Sequence, residues 1–472
     1  MQWKGWISVE LDKQNIDTGQ NEAMQSLPLK RKLAFAMGDI GNNFSWTFVS
    51  SYLMYFWTDV LGVSTGFSGT IMLISRFWDA VNDPIIGTMA DRTRSRWGCY
   101  RPWILLAAVP LAIVNILAFT AFPIASQTGR NLYALFSFFL LVFVFTCVNI
   151  PYTALQAATT LNTEERSKQA SFRLIGSYIG MLFVSNMTLR FVGWFGNGDD
   201  GRGYLLTAVL YSFVFMLPCL LVCFLGTREV CKPPKAEKVS LKTSLRAIRG
   251  NTPVLILSVG FLAYGLYSYG RSAVAMYYFT YNAGNKLLFA TYSLFNYGGC
   301  LLGALIMPLF SKRLKNKATV PKVGYAIVAV ALLCMGLFVD PTQSSGIHML
   351  YGLQLIASTA QGMSVSGLYS MIPDTTEYTQ LKHGIRASGF ISAMTSFAMK
   401  LGMGIGTASV GWTLEWFGYV AGAQQSSSAL ACINTIFTFI PAGFSIIVTV
   451  LLFFYKLDKA SYNAMVHDLG LD

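Results

Sequence analysis

The stretch GTIMLISRFWDAVNDPIIGTM, residues 69–89, is long enough to cross a bilayer, yet it carries one arginine and two aspartates in its middle. About 20 apolar residues span a hydrocarbon core of about 30 Å. At about 100° per residue, Arg76, Asp79 and Asp83 fall within about 60° of one another on a helix, so the charges form one stripe. A charge at the bilayer centre costs at least a few kcal/mol, so the stripe faces the protein interior. One arginine pairs with one acid. The second acid leaves surplus negative charge, which a bound Na⁺, a proton or a basic side chain on another helix must neutralise.

Similar apolar runs recur along the chain. Its 472 residues are 54% hydrophobic and only 12% charged, whereas soluble domains carry about 25% charged residues. Soluble domains are therefore excluded. Barrel strands would alternate polar and apolar residues, which these runs do not. The expected class is an all-α polytopic membrane protein with twelve spans. Six lie at 33–57, 67–90, 103–123, 131–155, 171–193 and 204–226. The other six lie at 253–281, 287–310, 321–339, 347–372, 387–416 and 430–456. Segment 227–252 is basic, contains Pro-Pro and reads as a linker with a short amphipathic helix from about Leu241. The domain plan is a tail at 1–30, a half at 31–226, the linker, a half at 253–458 and a tail at 459–472. Two six-helix halves around a midplane site define the major facilitator architecture.

The formal net charge of +13 does not point to nucleic acid. Lys and Arg concentrate in 91–101, the linker, 311–317 and the segment after Tyr455, whereas 58–66, 340–346 and 418–428 carry none. These loops fall on one side only if the span count is even and both termini are cytoplasmic. Residues 1–29 lack the apolar core of a signal peptide and read as a cytoplasmic tail, with Met24 a second candidate start. Cys147, Cys219, Cys223, Cys300, Cys334 and Cys432 sit in apolar runs, and Cys99 and Cys231 in basic loops, so free thiols are expected. No Cys/His spacing suggests zinc or haem, and no nucleophile–base or nucleotide motif suggests an enzyme. No cofactor is expected beyond a coupling ion.

Other charges lie within spans. Asp39, after Gly38, reads as interfacial, and Arg173 as either interfacial or cavity-lining. Lys400 sits among small residues, suited to close helix packing, and is a candidate counter-charge to Asp79 or Asp83. Arg271 has no acid nearby in sequence. It either meets an anionic ligand group, or snorkels or pairs with a distant carboxylate. Asn42 and Asn43 in span one, and Thr146, Asn149 and Thr153 in span four, offer oxygens for Na⁺ or sugar hydroxyls. Trp46, Tyr264, Tyr267, Tyr269 and Tyr369 could stack on a sugar ring, although most such aromatics serve packing.

GDIGNNF, YLMYFWTDVLGVS, RFWDAVNDPIIG, ADRTRSRWGCYRPWIL, VNIPYTAL and PDTTEYTQLKHGIR occur in order, followed by Lys400. Over roughly residues 31–458 this resembles the glycoside–pentoside–hexuronide:cation symporter family, whose best-known members are the melibiose permeases. The resemblance implies uptake of sugars or glycosides with Na⁺, Li⁺ or H⁺. It implies that Asp79 and Asp83 are the paired acids of the cation site, which would hold Na⁺ if that is the coupling ion. It places Thr146, Asn149 and Lys400 at that site too. It implies substrate-facing roles for Asn43, Asn149, Thr153 and Arg173, to which Trp46, Arg271 and Lys400 are added from their own positions. Arg96, Asp374 and Arg386 match signature loops and imply gating charges.

Departures accompany the match. Asn43 and Asn149 stand where melibiose permeases have aspartates, and Thr153 stands where a ring-stacking tryptophan is expected. Melibiose is thus disfavoured, xyloside or glucuronide chemistry is favoured, and the weaker carboxylate set leans toward H⁺. The expectation is a monomeric, multi-pass inner-membrane symporter. The rivals are a carrier of a lysolipid or sulfonated sugar on the same fold, and a non-transporting sugar sensor.

Overall fold

The computed structural model describes residues 26–160, 162–230, 251–311, 318–383 and 388–455. Among these, helices run through all twelve expected spans. Helix α1 comprises Leu29–Phe48 and continues through the π-helical turns Val49–Leu53 and Phe56–Val60. It is followed by α2 (Thr65–Arg92), α3 (Arg101–Ala118), α4 (Gln127–Ala158) and α5 (Thr163–Gly196). Helix α6 joins Asp200–Val209, the π-helical Leu210–Met216 and Leu217–Gly226. The second half contains α7 (Thr252–Tyr277, then π-helical Tyr278–Asn282), α8 (Leu288–Ser311) and α9 (Thr319–Phe338). It ends with α10 (Ser344–His383), α11 (Ser388–Trp416) and α12 (Ser427–Phe437 and Phe439–Phe453). Side-chain caps start several of them. Ser64, Ser126, Asp199, Asn251 and Ser426 each accept a bond from the backbone N–H three residues on.

Eight helices, α3 to α9 and α12, are by length and composition apolar enough to cross a membrane. Helices α1, α2, α10 and α11 fall short. Three of these, α1, α2 and α11, bring Asp39, Arg76, Asp79, Asp83 and Lys400 to one cavity. The polar groups that lower their hydropathy are those the bundle shields from lipid.

The halves meet where α2 crosses α11, α5 meets α8 and α1 meets α7. The α2–α11 crossing needs glycine. A Cβ on Gly411 would lie 2.3 Å from the Thr65 carbonyl oxygen, and one on Gly69 would lie 2.6 Å from that of Ala408. These contacts are near the loops that lack Lys and Arg. On that face Thr58 and Tyr277 share a hydrogen bond of 2.9 Å, and the Tyr419 hydroxyl donates to Asp59 at 2.8 Å. Tyr281 also donates to Asp59, and Lys286 pairs with Asp200 at 2.7 Å. One buried apolar cluster continues across this face, taking in Tyr52 and Tyr204 from the first half and Tyr277 and Phe437 from the second.

The basic-loop face is organised within each half. Lys32 (2.6 Å) and Lys168 (3.0 Å) hold Glu165. Asn251 donates to Thr379 at 2.7 Å. Glu229 accepts the backbone N–H groups of Cys99, Tyr100 and Arg101 at 2.7–2.9 Å, an anion on the positive end of α3 that anchors the start of the linker. The expected tails, most of the linker and its amphipathic helix lie outside the described residues. The seven described cysteines form no disulfide.

Candidate cation and substrate cavity

A cavity of about 220 Å³ lies between α1, α2, α4, α7 and α11. Asp79, 5% exposed, projects into it and pairs with Arg76 at 2.9 Å, the i,i+3 partner on its own helix. The Arg76 guanidinium sits 5.2 Å from the centre of the Trp46 ring, and that ring stacks on Phe145 at 4.8 Å. One turn beyond Asp79, Asp83 is ion-paired with Lys400 of α11. The surplus charge expected from α2 alone is therefore matched by a basic side chain of the other half.

Thr146 and Asn149 of α4 line the same space. The Thr146 hydroxyl donates to the Val142 carbonyl at 3.0 Å, which leaves its oxygen able to face a cation. Two prolines flank the site. Pro84 in α2 and Pro151 in α4 lack the N–H that would bond the carbonyls of Ala80 and Cys147, so each helix forgoes one backbone hydrogen bond next in sequence to a cavity-lining residue, Asp83 or Ile150.

Three placements differ from the sequence expectation. Asp39 is not interfacial. It is 8% exposed, lines the cavity and accepts a bond from Arg173 Nε at 3.2 Å. Asp39, Asn42, Asn43 and Trp46 recur at helical i,i+3/i+4 spacing, and that signal could have found it. Asn43 lines the cavity, but its amide is engaged elsewhere. It donates to the Asp39 carbonyl (2.8 Å) and the Ser177 hydroxyl (2.9 Å), and accepts from Thr47 (3.0 Å). Its neighbour Asn42 also lines the cavity, is 3% exposed, and has no partner for either amide atom among the described residues. Thr153, one turn from Asn149 toward the basic-loop face, is exposed and does not line the cavity.

A second cavity of about 210 Å³ shares Trp46 and Tyr269 with the first and extends between α1, α5, α7, α8 and α10. Asn296 and Gln361 add amides to it, and Ser177, Ser268 and Ser272 add hydroxyls. Sequence reading missed Asn296 and Gln361. Their only signal was a polar residue within an apolar run. Tyr264 lines this cavity, whereas the Tyr267 hydroxyl donates to Gln361 at 2.7 Å and Tyr369 packs on Phe261. Arg271 reaches neither cavity directly and lines a small adjoining pocket.

The two described gating candidates, Arg96 and Asp374, do not line the cavity. Arg96 is exposed, with its guanidinium 4.7 Å from the centre of the Trp97 ring. Asp374 is buried in α10, and Arg386 lies outside the described residues.

Two helical halves, closed together at one face around a cavity of paired charges and polar surface, have the arrangement of a secondary transporter. Comparison with known proteins agrees. A family model described as MFS/sugar transport protein matches residues 34–459. The chain is 34% identical to the inner membrane symporter YicJ of Escherichia coli (strain K12), covering 88% of this chain and 89% of that one. It is 32% identical to the isoprimeverose transporter of Lactiplantibacillus pentosus, covering 92% and 90%. A solved D-xylose-proton symporter superposes with a TM-score of 0.66 at 12% identity, covering 92% of this chain and 98% of that one, and shares the fold. The chain belongs to the MFS/sugar transport family. It is a multi-pass membrane transporter and not an enzyme.

Proposed function

We propose that the protein is a cation-coupled symporter that imports a sugar, glycoside or short oligosaccharide by alternating access, with H⁺ as the coupling ion. The observation that carries this reading is the Asp83–Lys400 pair. A cation of the second half sits on a carboxylate of the first, where a coupling cation would bind. Lys400 thus keeps the empty site neutral. A proton, or Na⁺ held by Asp79, Asp83 and Thr146, displaces the ammonium and frees it toward the sugar hydroxyls. Asn149 in place of a third carboxylate favours the proton.

The sugar would lie across the two joined cavities, with Trp46 and Tyr269 at their junction and Arg173 beside Asp39. Xyloside- and glucuronide-like rings are favoured over melibiose. The basic-loop face is cytoplasmic, so the closed face is external and the described state faces inward. Arg96, Asp374 and Arg386 would close the inner face in the opposite state. Coupling requires cation and sugar each to raise the other's affinity, a reciprocal effect of about 1–3 kcal/mol. The protein acts as a monomer in the inner membrane.

The test is substrate-induced pH change in de-energised cells or proteoliposomes, with xylosides, glucosides and glucuronides, with and without Na⁺. External alkalinisation with one sugar class supports H⁺ symport of that class. Na⁺-dependent uptake without a pH change replaces the proton with Na⁺. Silence across the panel removes these three substrate classes and favours a lysolipid or sulfonated sugar as the cargo.

A further inference from the structure

Helix α12 breaks at Thr438, between Ser427–Phe437 and Phe439–Phe453. Pro441 explains part of this, because it lacks the N–H that would bond the Phe437 carbonyl. Arg271 of α7 supplies the missing donor, its Nε lying 2.9 Å from that oxygen. The guanidinium also lies 4.4 Å from the Phe437 ring centre, 5.6 Å from that of Tyr292 and 3.4 Å from the Met335 sulfur. None of these groups is negative. A carbonyl needs a donor, and a neutral amide would serve. The positive charge is therefore unexplained by packing.

That charge is 3% exposed and forms no ion pair among the described residues. Asp340, in the loop between α9 and α10, is engaged by Thr342 and Gln343. Within the cavities Asp39 pairs with Arg173, Asp79 with Arg76 and Asp83 with Lys400, so no carboxylate is left for a fourth cation. Ring faces return about 2 kcal/mol to a desolvated cation, whereas an unpaired buried charge costs several. The pocket beside Arg271, about 30 Å³, holds about one water or a small anionic head. It shares Ser268, Ser272, Asn296, Tyr297 and Gln361 with the second cavity, so its wall is continuous with the sugar-sized space.

We propose that Arg271 is an anion-recognising subsite at the second-half end of the substrate cavity, selecting a sugar that bears a carboxylate or sulfonate over its neutral counterpart. This rests on the transport reading and names the substrate class for it. The anionic group supplies the missing counter-charge, while the ring's hydroxyls meet the amides and hydroxyls of the shared wall.

The experiment uses the full-length protein, purified for calorimetry and reconstituted for uptake. The probes are methyl β-glucuronide, its 6-sulfonate analogue and methyl β-glucoside. Wild type is expected to bind an anionic probe at least tenfold tighter than the glucoside, and the better of the two anions separates carboxylate from sulfonate. Arg271→Gln, which can still donate to Phe437, should lower that ratio at least tenfold, and Arg271→Lys should keep part of it. Equal binding of charged and neutral probes by wild type overturns the subsite, as does an unchanged ratio in Arg271→Gln. Binding of the anionic probe with no uphill uptake under any cation gradient defeats the transport reading and leaves the subsite standing.

Discussion

The two halves of the molecule share a helical plan and divide the chemistry. Among the described residues, every carboxylate that lines the cavities, Asp39, Asp79 and Asp83, belongs to the first half. The second half contributes Lys400 to the first cavity, neutral amides such as Asn296 and Gln361 to the second, and Arg271 to the small adjoining pocket. An acid-rich half could hold its own coupling cation whatever its partner did. Placing Lys400 opposite Asp83 ties the charge state of one half to the position of the other. Alternating access needs that dependence, because a cation that bound without engaging both halves would not bias their movement.

The sharpest break of this comparison is Asp83→Asn. It should abolish uphill sugar accumulation, a loss of about 100-fold or more, while equilibrium counterflow persists. Uphill uptake at wild-type levels would remove Asp83 from the coupling site.

Lys400→Gln tests the same pair from the other half. It leaves a carboxylate without its cation, at a cost of about 2 kcal/mol once partial exposure is allowed for. The Asp83→Asn/Lys400→Gln double variant should recover most of it, read as thermal denaturation in detergent. A double variant no more stable than the single would show that the two side chains are not coupled.

Within α1, the two asparagines should separate. Asn43→Ala loses three hydrogen bonds and should destabilise by about 2 kcal/mol. Asn42→Ala loses none and should instead raise the half-saturating sugar or cation concentration severalfold. Equal effects on stability would contradict this division.

A smaller effect is expected at the closed face. Tyr419→Phe removes a donor to Asp59 and should shift the two-state equilibrium by about 1–2 kcal/mol toward opening on that side. The readout is labelling of a cysteine introduced below the latch from outside. Unchanged labelling would deny the latch a role.

The smallest effect lies at the basic-loop end. Lys32 and Lys168 hold the Glu165 carboxyl down at about 2. Its unfolded value is about 4.3. The stability it contributes is therefore complete above about pH 4.3 and is lost as pH falls toward 2. The difference in melting temperature between wild type and Glu165→Gln should narrow over that window. A difference independent of pH would show that the ion pairs are immaterial.

Much of the fold was legible because a membrane demands it. Backbone groups in lipid must be satisfied within the helix, so each span announces itself as a run of the right length. The observed helices begin and end within a few residues of the expected spans in most cases, and α10 runs past its expected end at 372 to His383. The stripe on α2 was legible for a related reason, since charges in an apolar run can face only inward. Asp39 was misread because one carboxylate near a span's start looks the same whether it meets headgroups or Arg173. Thr153 lies outside the cavity lining, and spacing alone could not show this because its distance from the cavity depends on the tilt of α4.

The sequence by itself determined the class of protein, the approximate places of its helices and the existence of a charged stripe, because hydrophobic length and helical period are local properties. Only the tertiary structure decided which charges neutralise one another. It brought Lys400 to Asp83 across 317 positions and Arg173 to Asp39 across 134, and it left Arg271 beside aromatic rings without an acid among the described residues. Pairing at such separations follows from how twelve rods cross, and that is set by small residues such as Gly69 and Gly411 at contacts far from the charges they align.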